Sequence, residues 1–237
     1  MMNDNVLSLR NVTFGFAGVQ RPLFYNVNVS FATGKIHVIR GRNGVGKSTL
    51  FRILQGQVYP GEQFSGSLYL DNRKYDERAL KKCELKDMLQ LVPQKFDCAL
   101  ADECSFDQNL ALAQIPYLPR LTGLPKKQVV PDFIERFGID VNKPVKQLSG
   151  GQRQILAIVM ALQKSRKILL LDEPTAALDE KNAHMVFSFL QELVATYQMT
   201  ILIICHDKGL ADKFAPDGHF EIVIDPETNM RNVCFDV

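Results

Sequence analysis

Two glycine-bearing runs in this chain could each hold an anion, and they lie far apart in the sequence. The first is Gly41-Arg42-Asn43-Gly44-Val45-Gly46-Lys47-Ser48-Thr49, which spells G-x-x-x-x-G-K-[ST]. Its glycines let successive backbone N–H groups curl round a phosphate with no Cβ in the way, Lys47 supplies a point charge for β and γ phosphates, and the Ser48 hydroxyl can ligate Mg²⁺. The second is Leu148-Ser149-Gly150-Gly151-Gln152, a serine and two glycines set before a helical run from Arg153 to Gln163. Such residues leave backbone N–H groups open at a helix N-terminus, where the aligned peptide dipoles leave about half a positive charge.

Other chemistry-bearing residues gather near the ends of apolar runs. Lys167 to Leu171 reads as a buried parallel strand and delivers Asp172-Glu173 to its C-terminal edge. Two adjacent acids there are costly unless a cation sits nearby, and metal-bound nucleotide is the obvious one. Strand alternation would turn one carboxylate to the Mg²⁺ shell and the other to the γ-phosphate and a water. Gln94 follows the short strand Leu89 to Val92; alone, it reads as a solvated loop residue. Phe16, in a glycine-flanked turn, reads alone as a partly covered loop aromatic. Asp179, after Ala177-Leu178, opens a helix to about Tyr197 as an N-cap, a functional group or both. His206 follows the strand Thr200 to Ile204 at the same sheet edge as Asp172, where ligands of open α/β sheets bind. His37, His184 and His219 lie in no motif and read as structural.

The elements that must position these groups follow from periodicity. Lys35 to Arg40 is a strand running straight into the first glycine run, and Leu50 to Gln55 continues it as helix. Val6 to Phe14 and Leu23 to Phe31 alternate apolar with polar residues, as half-buried antiparallel strands of a small β-layer that Gly66 to Leu70 joins. Arg78 to Asp87 is a polar helix or loop. Ser105 to Gln114 has helical spacing with Ser105 or Asp107 as caps, and Pro131 to Phe137 gives a second helical turn or two. Ile115 to Pro131, with Pro116, Pro119, Pro125 and Pro131, marks a region of different architecture. His219 to Ile224 and Arg231 to Phe235 form a terminal hairpin across Asp225 to Asn229.

Composition narrows the classes. A chain of 237 residues suits one large domain, or one with an insertion. Lysine plus arginine number 28 against 26 acids, with no basic run, so nucleic acid is not an expected partner. Five cysteines with no C-x-x-C spacing argue against a disulfide framework or zinc site and for a reducing cytoplasm. Met1 to Arg10 has no apolar leader core, and no window approaches the roughly 20 apolar residues of a spanning helix.

Taken in order, the run Gly41 to Thr49, Gln94, Leu148 to Gln152, the I-L-L-L-D-E-P run at Ile168 to Pro174, Ala177-Leu178-Asp179 and His206 resemble the nucleotide-binding subunit of an ABC transporter. The resemblance covers essentially the whole chain. It implies an α/β fold, a P-loop NTPase with a RecA-like parallel-sheet core, an antiparallel β subdomain and a helical insertion. The implied division is one domain, 1–237, with core and β subdomain in 1–94 and 153–237 and a helical subdomain in 95–152. ATP and Mg²⁺ are the implied cofactors. By the resemblance, Phe16 stacks on adenine where the family usually has tyrosine, keeping the π face and losing the hydroxyl. Gly41, Arg42, Asn43, Gly44, Val45, Gly46, Lys47 and Thr49 bind the nucleotide phosphates, and Ser48, Gln94 and Asp172 hold Mg²⁺. Glu173 orients or deprotonates the attacking water, His206 senses the γ-phosphate, and Lys47 completes the catalytic set. Ser149, Gly150, Gly151 and Gln152 of one copy cover the ATP held by another copy, Asp179 counts among the nucleotide-binding residues, and two copies, or one copy and a paralogous ATPase, close head to tail. No catalytic position is substituted, so active hydrolysis is expected. The family further implies separate membrane permease subunits facing the Gln94 loop and the insertion, with an extracytoplasmic solute-binding protein as a further partner. It places the chain at the cytoplasmic face of the inner membrane, driving uptake of an unidentified solute. The rival expectation is the same cycle driving a membrane complex that moves no solute, as in cell-division assemblies.

Overall fold

A computed structural model describes residues 5–81, 85, 88–115, 131–163, 167–205, 209 and 217–236. The chain opens with the antiparallel pair β1 (Asn5–Gly15) and β2 (Phe24–Ala32). A bulge at Arg10 and Asn11 (φ 51°) resets the β1 alternation, so that Leu7 and Leu9 before it and Val12 and Phe14 after it all enter one core. Strand β3 (Ile36–Arg40) leads through the first glycine run into α1 (Lys47–Leu54). Then β4 (Gln63–Leu70) returns to pair with β1, starting earlier than Gly66.

A further strand, β5 (Arg73–Tyr75), was not expected from its composition; it pairs with β4 across Asp71 and Asn72, both at positive φ (47° and 64°). That is the left-handed two-residue hairpin loop that matches strand twist. Helix α2 (Glu77–Lys81) occupies the start of the polar stretch after it. Strand β6 (Leu89–Val92) precedes α3 (Phe106–Ala113), whose cap is Ser105 rather than Asp107, through a reciprocal box with Gln108. Where a helical turn was expected near Pro131 to Phe137, a 3₁₀ turn spans Ile134–Phe137 and stops at Gly138 (φ 65°). The remaining elements are α4 (Gly150–Leu162), β7 (Ile168–Asp172), α5 (Glu180–Tyr197), β8 (Thr200–Ile204), β9 (Gly218–Ile224) and β10 (Arg231–Asp236). The proline-spaced stretch lies outside the described residues except at its ends, Ile115 and Pro131.

The ten strands among the described residues join in one sheet, ordered β5-β4-β1-β2-β10-β9-β3-β8-β7-β6. From β9 to β6 the neighbours are parallel; from β5 to β2 they are antiparallel. The antiparallel strands are therefore not a separate layer. The β9–β10 hairpin is the weld: β9 runs parallel to β3, and β10 meets β2 at Arg231 and Phe24.

The central strands are buried on both faces, as their unbroken apolar runs require. On one face Ile168, Leu170, Leu202 and Ile204 share a core with the antiparallel strands and with Leu50, Phe51, Ile53 and Leu54 of α1. On the other, Leu169, Leu171, Ile201 and Ile203 pack with Ile155, Leu156, Ile158 and Val159 of α4 and with Val186, Phe187, Phe189 and Leu190 of α5. Among the described residues no helix is long and apolar enough to cross a membrane.

Candidate functional site

The first seat is shaped by backbone that only glycine adopts easily. Gly44 and Gly46 sit at φ 74° and 113°, and α1 begins at once with Lys47, so its first-turn N–H groups face the loop. Arg42, Asn43 and Gly44 are exposed at the crown, Thr49 is half-buried, and Val45 is buried against Gly41. The Lys47 ammonium lies across the loop, donating to Gly41 O at 2.9 Å and Arg42 O at 3.1 Å. Burial lowers its pKa from the usual lysine value, against the opposing pull of Glu173 and Asp172.

Strand β8 separates β3 from β7 in the sheet, yet α1 carries Ser48 across to the β7 end. Its Oγ donates to Asp172 Oδ2 at 3.2 Å. Two hard oxygens at that spacing fit neighbouring corners of a Mg²⁺ octahedron, whose bonds of about 2.0–2.1 Å set corners about 2.9 Å apart.

Glu173 departs from Asp172 for a reason other than strand alternation. Strand β7 ends at Asp172, and Glu173 adopts φ 51°, pinned by its N–H to Ile204 O at 3.0 Å. A left-handed non-glycine residue costs on the order of 1–3 kcal/mol. The turn sends the carboxylate to Gln94, whose Nε2 donates to Oε2 at 2.8 Å. Gln94, expected beside Ser48 and Asp172, thus gives its amide nitrogen to Glu173. Both residues line a cleft of about 310 Å³ that Gly150, Arg153, Gln154 and Leu178 close from the other side.

Phe16, 39% exposed, stands edge-on to Phe14 at 5.3 Å. Behind it lies Arg52 of α1, 5.7 Å from the Phe16 centroid and 4.7 Å from that of Tyr59, clamped by both oxygens of Glu62 at 2.8 and 3.1 Å. No sequence motif marked Arg52, Tyr59 or Glu62; their association depends on how α1 meets the entry to β4.

The second seat is less open than the sequence suggested. Ser149 Oγ accepts from Gln152 N at 3.3 Å while Gln152 Oε1 accepts from Ser149 N at 3.1 Å, a capping box that satisfies two of the donors. Gln152 Nε2 also donates to Gly138 O at 2.9 Å, so both ends of that side chain are engaged within the chain. Gly150 and Gly151 remain as first-turn N–H groups and have a packing reason as well: a Cβ on Gly150 would stand 2.9 Å from Leu178, and one on Gly151 would meet Met185 and Asn182. Asp179 caps α5 through Asn182 N at 2.8 Å. Asn182 was missed in the sequence, where its only signal is the position three residues after a capping aspartate. His206 lies outside the described residues.

The structure gathers Lys47, Ser48, Asp172, Glu173 and Gln94 at one sheet edge. It sets the helices bearing the two seats, α1 and α4, on opposite faces of that sheet.

A family model described as ABC transporter matches residues 24–176. The energy-coupling factor transporter ATP-binding protein EcfA1 of Mycoplasma mobile is 29% identical over 243 residues, covering 98% of this chain and 84% of that one. The structure of cbiO1 from Clostridium perfringens, part of the ABC transporter complex cbiONQ, superposes with a TM-score of 0.76 at 26% identity, over 98% of this chain and 88% of that one. A dimeric ATP-binding cassette in a post-hydrolysis state, bound to ADP and Pi, superposes at 0.64 with 27% identity, over 91% and 93%. The relatives also include xylose and arabinose import ATP-binding proteins, of whose length this chain spans 36% to 44%, and a probable iron export ATP-binding protein.

Proposed function

The chain belongs to the ABC transporter family, and on that footing we propose that it is the ATP-binding subunit of a transporter, closing in pairs around two ATP molecules and hydrolysing them. The observation that carries the pairing is the placement of α1 and α4 on opposite faces of one rigid sheet. A triphosphate held at Gly41 to Thr49 would sit at the start of the helix on one face, whereas Ser149 to Gln152 start the helix on the other, and on that ground the second seat is assigned to the nucleotide of another copy. That a solved relative is a dimeric cassette bound to ADP and Pi supports pairing.

In this reading Gly41 to Gly46 and the α1 N-terminus hold the β and γ phosphates through backbone N–H groups, with Lys47 adding its charge and Thr49 its place in the first turn. Ser48 and Asp172 would hold Mg²⁺, joined by Gln94 once its amide leaves Glu173; the ion supplies charge neutralisation to the phosphates. Glu173 is the group that orients or deprotonates the attacking water, and its left-handed backbone keeps it clear of Asp172. Phe16 offers a π face for adenine, Asp179 adds a nucleotide-binding group beside its capping role, and His206 touches the γ-phosphate. Residues 1–94 and 153–237 would form the core and 95–152 the partner-facing part. Separate membrane permease subunits fit the relatives' names, and the import relatives favour uptake with the chain held peripherally at the cytoplasmic face of the membrane.

The test is Mg²⁺-dependent ATP turnover by the purified chain, alone and with its permease. Glu173→Gln is expected to lower the rate by about 10²–10⁴, the usual contribution of a general base, while ATP binding persists. Turnover undiminished in that variant rejects the assignment of Glu173.

A further inference from the structure

Asn182 does more than a third helical residue needs to do. Its backbone N–H already serves the Asp179 cap at 2.8 Å. Its side chain adds three further bonds: Nδ2 donates to Asp179 Oδ1 and Oδ2, each at 3.0 Å, and Oδ1 accepts from Ser149 Oγ at 2.9 Å. An amide has a donor end and an acceptor end that cannot be exchanged. Because the carboxylate of Asp179 claims the NH₂ end, the oxygen end must face Ser149, and the hydroxyl is held in one rotamer. Gly151 records the closeness of the fit, since an added Cβ would stand 2.9 Å from Asn182 Oδ1 and 3.1 Å from its Cβ.

We infer that Asn182 is a positioning residue for the second seat: it holds the Ser149 hydroxyl in one rotamer until the pair closes, so that Oγ stands ready for the nucleotide of the partner copy. This rests on the reading of Ser149 to Gln152 as a seat for that nucleotide. Asn182 touches no substrate in this role. As the pair closes, the Ser149 hydroxyl turns its hydrogen bond from Asn182 Oδ1 to a phosphate oxygen, the proton staying on Oγ, while the Gln152 N–H still holds Oγ. The device links the start of α4 to the start of α5, so the seat and Asp179 move as one body.

Steady-state ATP turnover of the full chain tests this, with Asn182→Ala, Asn182→Asp, Ser149→Ala and the Asn182→Ala/Ser149→Ala double variant. Asn182→Ala is expected to lower kcat about tenfold, equivalent to about 1.4 kcal/mol, with KM for ATP changed less than about threefold because the first seat is untouched. Asn182→Asp keeps the shape and the packing on Gly151 but sets a carboxylate against Asp179, so it should fall with Asn182→Ala. The double variant should be no slower than about twofold below the slower single one, since Asn182 acts through Ser149. Wild-type turnover in Asn182→Asp, or fully multiplicative losses in the double variant, would mean a packing or folding role and overturns the inference. If Ser149→Ala itself turns over ATP like wild type, the seat reading fails and this inference with it; if only Asn182→Ala is without effect, the seat stands and the inference alone falls. The Asp179 cap uses the Asn182 backbone N–H, so both Asn182 variants keep that capping bond.

Discussion

Gly44 and Gly151 both belong to glycine runs proposed to seat phosphate, yet they are glycine for different reasons. Gly44 has φ 74° and nothing within 4 Å of an added Cβ, so only its backbone forbids a side chain. Gly151 has ordinary helical backbone, but a Cβ there would collide with Met185 and press on Asn182. Replacing a helical glycine by alanine normally gains roughly 0.5–1 kcal/mol, whereas overfilling a packed contact costs about 1–3 kcal/mol. Gly151→Ala is therefore expected to destabilise the chain by about 1–2 kcal/mol, read as a lower urea midpoint at unchanged slope. A raised midpoint would show that α4 and α5 have room between them. The motif letters told that glycine stands here and suggested open N–H groups; they could not tell that half the reason is Asn182, a residue of another element. Glu173 is a similar case. Its acidity and its place after a buried strand were readable, but its left-handed turn is imposed by the N–H bond to Ile204 on β8, and a single residue carries no sign of such a partner.

Elements with strong local signals were legible: β3 into α1, the buried runs of β7 and β8, and the helical spacing of α3 all arise from residues within one segment, although the choice of Ser105 over Asp107 as its cap needed the structure. Strand β5 is three residues long and was missed, although the Asp71-Asn72 pair carried the hairpin signal that could have found it. What no local pattern announces is how α1 is braced. Arg52 leaves its far side, lies within 5.2 Å of the Phe14 centroid and 4.7 Å of the Tyr59 centroid, and pairs with Glu62 just before β4. Glu62 also accepts from Tyr59 N at 2.9 Å, so one carboxylate fixes the α1 side chain and the turn together. The pair is largely enclosed, with 18% and 8% of the two side chains exposed. Removing one partner of a buried pair leaves the other charge uncompensated, at roughly 3–5 kcal/mol. Glu62→Ala should fall near the lower end, about 3 kcal/mol, because Arg52 keeps some contact with water and with the rings. Chemical denaturation checks this, and a loss under about 0.5 kcal/mol would mean the ring faces alone hold Arg52. Since Phe16 leans on the same guanidinium, weaker ATP binding should accompany the loss of stability.

At the scale of the molecule, the sequence suggested a parallel core with a β-layer beside it, and the structure makes them one sheet. The weld is a long-range pairing of β9 and β10, which periodicity marked only as a hairpin. His37 sits at this weld. It lies on β3 beside Gly218 of β9, 4% exposed, with rings of Phe31 and Phe220 at 5.5 and 5.7 Å. Its Nε2 pairs with Ala32 O at 3.0 Å, but the buried Nδ1 has no hydrogen-bond partner among the described residues. A proton on Nδ1 would find no acceptor. Burial accordingly lowers the His37 pKa below 6.5, despite the raising effects of the Ala32 carbonyl and the Asp217 charge. The unfolded chain therefore binds more protons than the folded one just below pH 6.5, and stability must fall as pH drops through that value toward the folded pKa. The slope is bounded by one proton, about 1.4 kcal/mol per pH unit. Asp217 acts in the same sense but lower: burial would raise its pKa, yet the Lys35 hydrogen bond, the Ile36 N–H and the nearby positive charges hold it below 3.8, so its contribution is lost only as pH falls past that value. His37→Gln replaces a titrating ring by a neutral amide that can still donate toward Ala32 O. Wild type should be the more stable protein at pH 8, with a constant gap down to about pH 7 that narrows between about pH 6.5 and 5 as the folded histidine is made to pay its missing protonation. Urea midpoints at pH 8, 7, 6 and 5 measure the gap directly. A gap that stays constant to pH 5 would mean that His37 protonates as readily in the weld as in the unfolded chain, and that the joint between the two halves of the sheet is open to water.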